Sequence, residues 1–457
     1  GSIDDSSPGL EVYETGMVWA VTFAADGRSV VAADPWWHSP AWPQDLPAET
    51  GCGTLLASLG DVDGDGWTDA AVGCVFRQRQ LFLAVLLPSG LPRSIAVVTR
   101  ASVLSVFGVD LGPQFPAALA SAGDLNGDGV PDLLVVHGST KAVGGGSGGT
   151  GVGVLFLDAG GQITGVRAIS GVADALGFVP VCAEDSGRCP ASLAVLGRSS
   201  HSVTVALGSA LLHAPHGGVL ILRVPLEPGT PAVFLGEWPS AAQMLPGRTQ
   251  RDANALGQSL LLLPSSGSGS ALLIGAPGLV SAENDPVEGG LAVGTVLPAL
   301  WPADGACPAY LAVLPSAFRL KAALRCPPPA HRIGGGAVAH PILSAQRWAP
   351  GQGGVPVGAW GEHSRVGTEP AVVGDVDGDG VPDFVVGSSP YGGVPSSAHV
   401  LFLTRSGHVA RAVRLDSPQL LAAQAAAGLG DGFGAAVAPL GDMDGDGSPE
   451  VAIGHAV

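Results

Sequence analysis

Four nine-residue acidic segments carry the clearest chemistry in this 457-residue chain. They run Asp61-Val-Asp63-Gly-Asp65-Gly-Trp67-Thr-Asp69, Asp124-Leu-Asn126-Gly-Asp128-Gly-Val130-Pro-Asp132, Asp375-Val-Asp377-Gly-Asp379-Gly-Val381-Pro-Asp383 and Asp442-Met-Asp444-Gly-Asp446-Gly-Ser448-Pro-Glu450. Side-chain oxygens recur at positions 1, 3, 5 and 9. Hard cations take oxygen ligands, and Ca²⁺ accepts roughly six to eight in a flexible shell. The carbonyls of Trp67, Val130, Val381 and Ser448, at position 7, could add a fifth protein ligand. Glycines at positions 4 and 6 let the backbone coil tightly enough to gather the set. Without a cation the clustered carboxylates repel one another. Mg²⁺ suits the loop less well, because it demands a rigid octahedron. Four Ca²⁺ sites are therefore expected.

These loops differ from an EF-hand, which needs a bidentate Glu at position 12 and flanking helices. Position 12 here is Val72, Val135, Val386 or Ile453. Each loop runs straight into a short apolar segment with strand character. The loop is thus expected to join two strands of a hairpin.

Composition bounds the rest. Charged residues make up 13% against a hydrophobic fraction of 46%, and the formal net charge is −18. The acidity and the lack of any basic run argue against nucleic-acid binding. No apolar stretch of membrane-spanning length occurs, so no direct membrane insertion is expected. Short alternating apolar runs among abundant Gly and Pro favour an ordered all-β chain over disorder. The six cysteines are Cys52, Cys74, Cys182, Cys189, Cys307 and Cys326. Cys52 and Cys74 bracket the first acidic hairpin and could face each other across it; the full pairing is left open. Disulfides and weak-affinity calcium loops both suit an extracellular or cell-surface location. No Asn-x-Ser/Thr sequon occurs.

A repeat underlies the loops. Gly53-Thr-Leu-Leu-Ala-Ser-Leu-Gly60, Gly367-Thr-Glu-Pro-Ala-Val-Val-Gly374 and Gly434-Ala-Ala-Val-Ala-Pro-Leu-Gly441 align without gaps before three of them. A second hairpin follows each loop. Each unit reads as four strands, A to D, with units beginning near residues 53, 116, 177, 257, 367 and 434. In unit 177 the A–B loop is read as Glu184-Asp-Ser-Gly-Arg-Cys189, and in unit 257 as Pro264–Ser270. The 110-residue gap after residue 257 favours a degenerate seventh unit, with Gly334–Pro341 and Gly354–Ala359 as its first strands. One unit with a large insertion over 326–365 is the alternative.

Phe433-Gly434, Gly275-Ala-Pro277 and the four acidic loops resemble the FG-GAP repeat of the integrin α-chain β-propeller. The resemblance implies an all-β propeller of four-stranded antiparallel blades, with seven blades favoured and six possible. It spans the chain as one domain from about residue 15, after a leader at 1–14. Met17–Val30 reads as a C–D hairpin without an A–B hairpin before it. Residues 15–31 are therefore expected to supply the outer strands of the final blade.

The resemblance also implies a binding or adhesion module, with the partner on the face opposite the calcium loops. The long B–C and D–A connections fall on that face, and Trp36, Trp37, Trp42, Trp238, Trp348 and Trp360 lie in them. They are expected to form a patch for protein or glycan. No catalytic motif stands up: Gly145-Gly-Ser147-Gly-Gly149 matches a nucleophile elbow only as a pattern within a glycine run. The chain is accordingly read as non-enzymatic. Alternatives are a glycan-binding lectin or polysaccharide lyase on the same propeller, and a structural module of a larger surface or cell-wall glycoprotein.

Overall fold

The computed structural model describes residues 16–23, 30–46, 50–76, 78–138, 150–169, 172, 191–209, 218–237, 260–263, 270–275, 291–296, 345–348, 350–351, 353–360, 366–388, 397–405, 408–415 and 433–455. In chain order the strands begin with β1 (Met17–Phe23) and β2 (Val30–Pro35). Next come β3 (Cys52–Gly60), β4 (Asp69–Cys74), β5 (Gln80–Leu86) and β6 (Pro92–Thr99), then the helix α1 (Arg100–Phe107). A second set is β7 (Ala118–Gly123), β8 (Asp132–Gly138), β9 (Thr150–Leu157) and β10 (Ile163–Ile169). A third is β11 (Ala191–Arg198), β12 (Ser202–Ser209), β13 (Gly218–Pro225) and β14 (Val233–Glu237). A fourth is β15 (Leu260–Leu263), β16 (Ser270–Gly275), β17 (Leu291–Val296) and β18 (Ala345–Trp348). The fifth is β19 (Val366–Gly374), β20 (Asp383–Ser388), β21 (Ala398–Leu403) and β22 (Val409–Arg414), followed by β23 (Phe433–Gly441) and β24 (Glu450–His455).

Each set of four consecutive strands forms one antiparallel sheet, and β23, β24, β1 and β2 form the last. Among the described residues there are thus six four-stranded sheets. Their first strands touch in cyclic order, β3 to β7, β11, β15, β19, β23 and back to β3. This is a closed β-propeller of six blades. Leu55, Leu56, Leu119, Leu193 and Leu260, from the first strands of four successive blades, line a small cavity between them.

Burial follows distance from the axis. The second strands β4, β20 and β24 are buried at every position. That is why they read as unbroken apolar runs, buried on both faces of the sheet. The outermost strands β6 and β22 are half-buried or exposed along most of their length.

Among the described residues no seventh blade is formed. Residues 297–344 fall between β17 and β18, third and fourth strands of a single sheet, so the long gap is an insertion within one blade. Residues 354–359 form turns rather than a B strand, and Gly334–Pro341 lie outside the described residues. The third unit also starts later than its spacing suggests. Its A–B turn is Ser199–His201, between β11 and β12, and Glu184–Cys189 precede the A strand.

The closing blade joins distant parts of the chain. Met17 pairs with His455 and Thr22 with Glu450 along β1 and β24, and β2 extends the sheet outward to Pro35. The landmark glycine of each unit has a physical reason. Gly53 and Gly434 have φ of +88° and +89° and lie against the backbone at Met17 and Ser397. Those residues begin, or immediately precede, the third strand of the preceding blade. A Cβ at either glycine would collide with that backbone, so only glycine lets the blades approach.

Candidate metal centre

Each acidic loop joins the first strand of a blade to the second. Its coil is held by its own aspartates. Asp61 accepts backbone N–H from Gly64 at 2.7 Å, Asp65 at 3.0 Å and Gly66 at 2.9 Å. Asp124 does the same with Gly127 and Gly129, Asp375 with Asp379 and Gly380, and Asp442 with Gly445 and Gly447. Glycines at positions 4 and 6 sit at positive φ in all four loops.

The last residue of each loop has a different task. The buried carboxylate of Asp69 accepts from Val62 N–H with one oxygen and from Leu86 N–H with the other, both at 2.8 Å. Asp132 holds Leu125 and Leu157 in the same way, and Asp383 holds Val376 and Leu403. One side chain thus ties the loop to the end of the third strand. Sequence spacing identified these carboxylates but not their partners, one a backbone N–H within the loop and the other a backbone N–H at the end of the third strand.

Three loops gather carboxylate oxygens from positions 1, 3 and 9 within 4.8 Å of one another: Asp61, Asp63 and Asp69; Asp375, Asp377 and Asp383; Asp442, Asp444 and Glu450. Asp65, Asp379 and Asp446, at position 5, stand outside that tightest grouping and accept N–H from the position-7 residue at 2.7 to 3.0 Å. In the second loop Asn126 replaces the position-3 aspartate and donates to Asp128 at 2.8 Å. At position 7, Trp67, Val130 and Val381 pack their side chains against the core, and Ser448 is buried.

The electrostatics of the bare loops are unfavourable. Burial pushes Asp69 and Asp383 up to about 6, with the neighbouring carboxylates adding to the rise. Burial and the three aspartates of its loop raise Glu450 to about 7. Glu450 accepts from Met443 N–H at 2.5 Å through one oxygen, while the other is buried with no hydrogen-bond partner. Buried polar atoms are nearly always satisfied. An orphaned carboxylate oxygen beside two aspartates fits a cation, and oxygen-only donors fit a hard one.

Four arginines, which sequence reasoning missed, lie at these loops: Arg198 stands beside Gly123 and acts on Asp124, and Arg405 stands beside Gly380, while Arg93 and Arg411 come closer to the carboxylates. Arg93 on β6 contacts Asp63 directly and lies 3.6 Å from Asp65. Arg411 on β22 lies 3.9 Å from Asp377, its guanidinium stacked over Phe402. Both follow the turn between third and fourth strands, which therefore shares a face with the acidic loops. A basic residue just past that turn is the sequence signal that could have found them.

The tryptophan patch is not formed. Trp36, Trp42, Trp348 and Trp360 are each at most 5% exposed. Trp36 and Trp42 meet edge to face at 6.2 Å, Trp42 stacks on Phe82, Trp348 packs on Phe384 and Trp360 on His399. Trp37 is partly buried beside Trp19, and Trp238 lies outside the described residues. These large apolar rings serve the core beneath the connections. Cys52 and Cys74 are joined by a disulfide across β3 and β4. Cys182, Cys189, Cys307 and Cys326 lie outside the described residues. No helix among the described residues is long and apolar enough to cross a membrane.

No protein-family model matches the chain. It is similar to integrin alpha-5 of Xenopus laevis, 34% identical over 84 residues, which is 18% of this chain and 8% of that protein's length. Among solved structures, an apocarotenoid oxygenase/RPE65 chimera aligns at TM-score 0.33 and 11% identity, over 81% of this chain and 61% of its own. Two variants of the Synechocystis apocarotenoid oxygenase align at 0.34 and 0.35, with 10% and 11% identity, over 85% of this chain and 63% and 64% of theirs. Those chains are named as enzymes, so the expectation of a non-enzymatic chain is withdrawn. At these scores the likeness carries no argument for any particular reaction. What the fold and the short integrin similarity suggest together is a propeller that serves as a binding module.

Proposed function

We propose that this chain is an extracellular, calcium-stabilised propeller that binds a macromolecular partner through the face opposite the acidic loops. The observation that carries the calcium half is the repeated cage, in which position-9 carboxylates are buried and crowded by like charges, and Glu450 keeps one oxygen unpaired. A bound divalent cation would supply the missing positive charge, and its binding energy would become folding energy. Asp61, Asp63 and Asp69 would hold it in the first blade, with corresponding residues in the other three loops. The disulfide and the FG-GAP resemblance support an extracellular setting. The partner half rests on the propeller fold and on the short integrin similarity.

Thermal melting with and without chelator tests the first half. Removal of calcium is expected to lower the melting temperature by about 10 °C, since each site filled at a hundred times its Kd adds about 2.7 kcal/mol. An unchanged melt would refute it. Interferometry of immobilised chain against cell-surface protein, run beside a glycan array, tests the second half. Retention of glycans alone would convert the reading to a lectin.

A further inference from the structure

The four loops share one pattern but not one electrostatic environment. In the first, Arg93 reaches from β6 across the face of the blade to Asp63 and lies 3.6 Å from Asp65. Asp63 is a member of the carboxylate cage, so the guanidinium already engages a group that a cation would need. Arg93 itself is about half exposed, so it can swing into water at little cost. In the fifth blade Arg411, one register position further along the fourth strand, is farther away, 3.9 Å from Asp377, and is held over the Phe402 ring. In the second loop Asn126 takes the position-3 place and donates to Asp128, and Arg198 acts on Asp124 from beside Gly123.

We propose that Arg93 is a built-in competitor for the first loop's cation, so that loop 61–69 fills at a higher calcium concentration than it would with an uncharged residue at position 93. The inference rests on the calcium reading above and adds a determinant of affinity to it. Two effects act together. The arginine must release Asp63 before that oxygen can turn to the metal. While it remains nearby, it also repels the incoming double charge. A unit charge within several ångströms of a dication in a water-like medium changes affinity by about tenfold. The first loop lies in the blade that contacts the closing blade around the ring.

The sequence supplies a local reporter. Trp67 stands at position 7 of this loop, whereas Val130, Val381 and Ser448 stand there in the others. Terbium, a calcium surrogate, should therefore show tryptophan-sensitised luminescence that is lost in Trp67→Phe. The experiment titrates Tb³⁺ into the full chain and into Arg93→Gln, with calorimetric titration of Ca²⁺ for total stoichiometry. The expected result is a Trp67-dependent signal with a half-saturation about tenfold lower in Arg93→Gln, while the remaining calcium sites are unmoved. Half-saturation equal within twofold in the two proteins would overturn the proposal. So would calcium binding by calorimetry with no Trp67-dependent signal in either protein, and the calcium reading would survive that result. An absence of cation binding altogether would remove both.

Discussion

Gly53 lies directly beneath the carbonyl oxygen of Met17, and the carbonyl of Gly53 in turn lies against Gly454. Three backbones from the first and closing blades thus meet with no side chain between them. Residues near both ends of the chain and the start of the first complete blade are locked at one point.

Gly53→Ala tests that lock. An alanine there must adopt φ near +88° and place a methyl group into the Met17 carbonyl. Destabilisation of about 2–4 kcal/mol is expected by chemical denaturation. Gly64→Ala makes the comparison. It has φ of +78° but open space around it, so it should lose only the backbone part, about 1–2 kcal/mol.

Asp69 should matter to the fold even without a cation. Its two oxygens satisfy buried N–H groups of Val62 and Leu86. In chelator, Asp69→Ala is expected to cost about 1–3 kcal/mol, because both donors are stranded. Asp69→Asn keeps one acceptor and should cost less. The order of the two midpoints in a urea titration checks the assignment.

Two buried histidines set an acid limit. Burial holds His137 and His399 down at about 4, and Arg414 pushes His399 the same way, while Asp110 opposes the shift at His137. The unfolded chain takes up these protons near pH 6.5 and the folded chain only near 4. Stability from each is therefore full above pH 6.5 and is lost as pH falls toward 4, up to about 3 kcal/mol per histidine. Asp69 and Asp383, raised to about 6, work in the opposite sense in chelator, stabilising the fold as pH falls through the same window. The difference between wild type and His399→Phe, followed from pH 7 to 4, isolates the histidine. A difference that does not change with pH would overturn the account.

The disulfide should resist reductant until the blade opens. Cys52 and Cys74 are both fully buried, and they close a loop across 22 positions. Thiol exchange requires access to sulfur. Mild reductant under native conditions is expected to leave the bond intact, as read by mass spectrometry after alkylation. Replacing both cysteines by serine should cost about 3 kcal/mol.

Much of this was legible because the signals were local. The acidic loops, the apolar second strands and the Cys52–Cys74 hairpin are each written within about 25 residues. The outer pair Met17–Phe23 and Val30–Pro35 shows as a hairpin with no A–B hairpin before it. What failed depended on distance. Whether residues 258–366 held one blade or two turned on a pairing between β17 and β18, which are separated by 48 residues outside the described set. Spacing alone placed Glu184–Cys189 in a hairpin turn that Ser199–His201 actually makes. The tryptophans were read as surface because they sit in connections, yet Trp36 folds inward onto Trp42 and Trp42 onto Phe82. Arg93 gave no periodic signal, since its partner lies 30 positions earlier.

The pairing of Met17 with His455 has a mechanical consequence. The two residues face each other at one end of an antiparallel pair, so tension drawn through both would peel β1 from β24 one rung at a time. Load shared across all the rungs, as in shear, would require the pull to come from opposite ends. A pull applied at that end therefore loads the rungs of the seam singly, from Met17–His455 toward Thr22–Glu450.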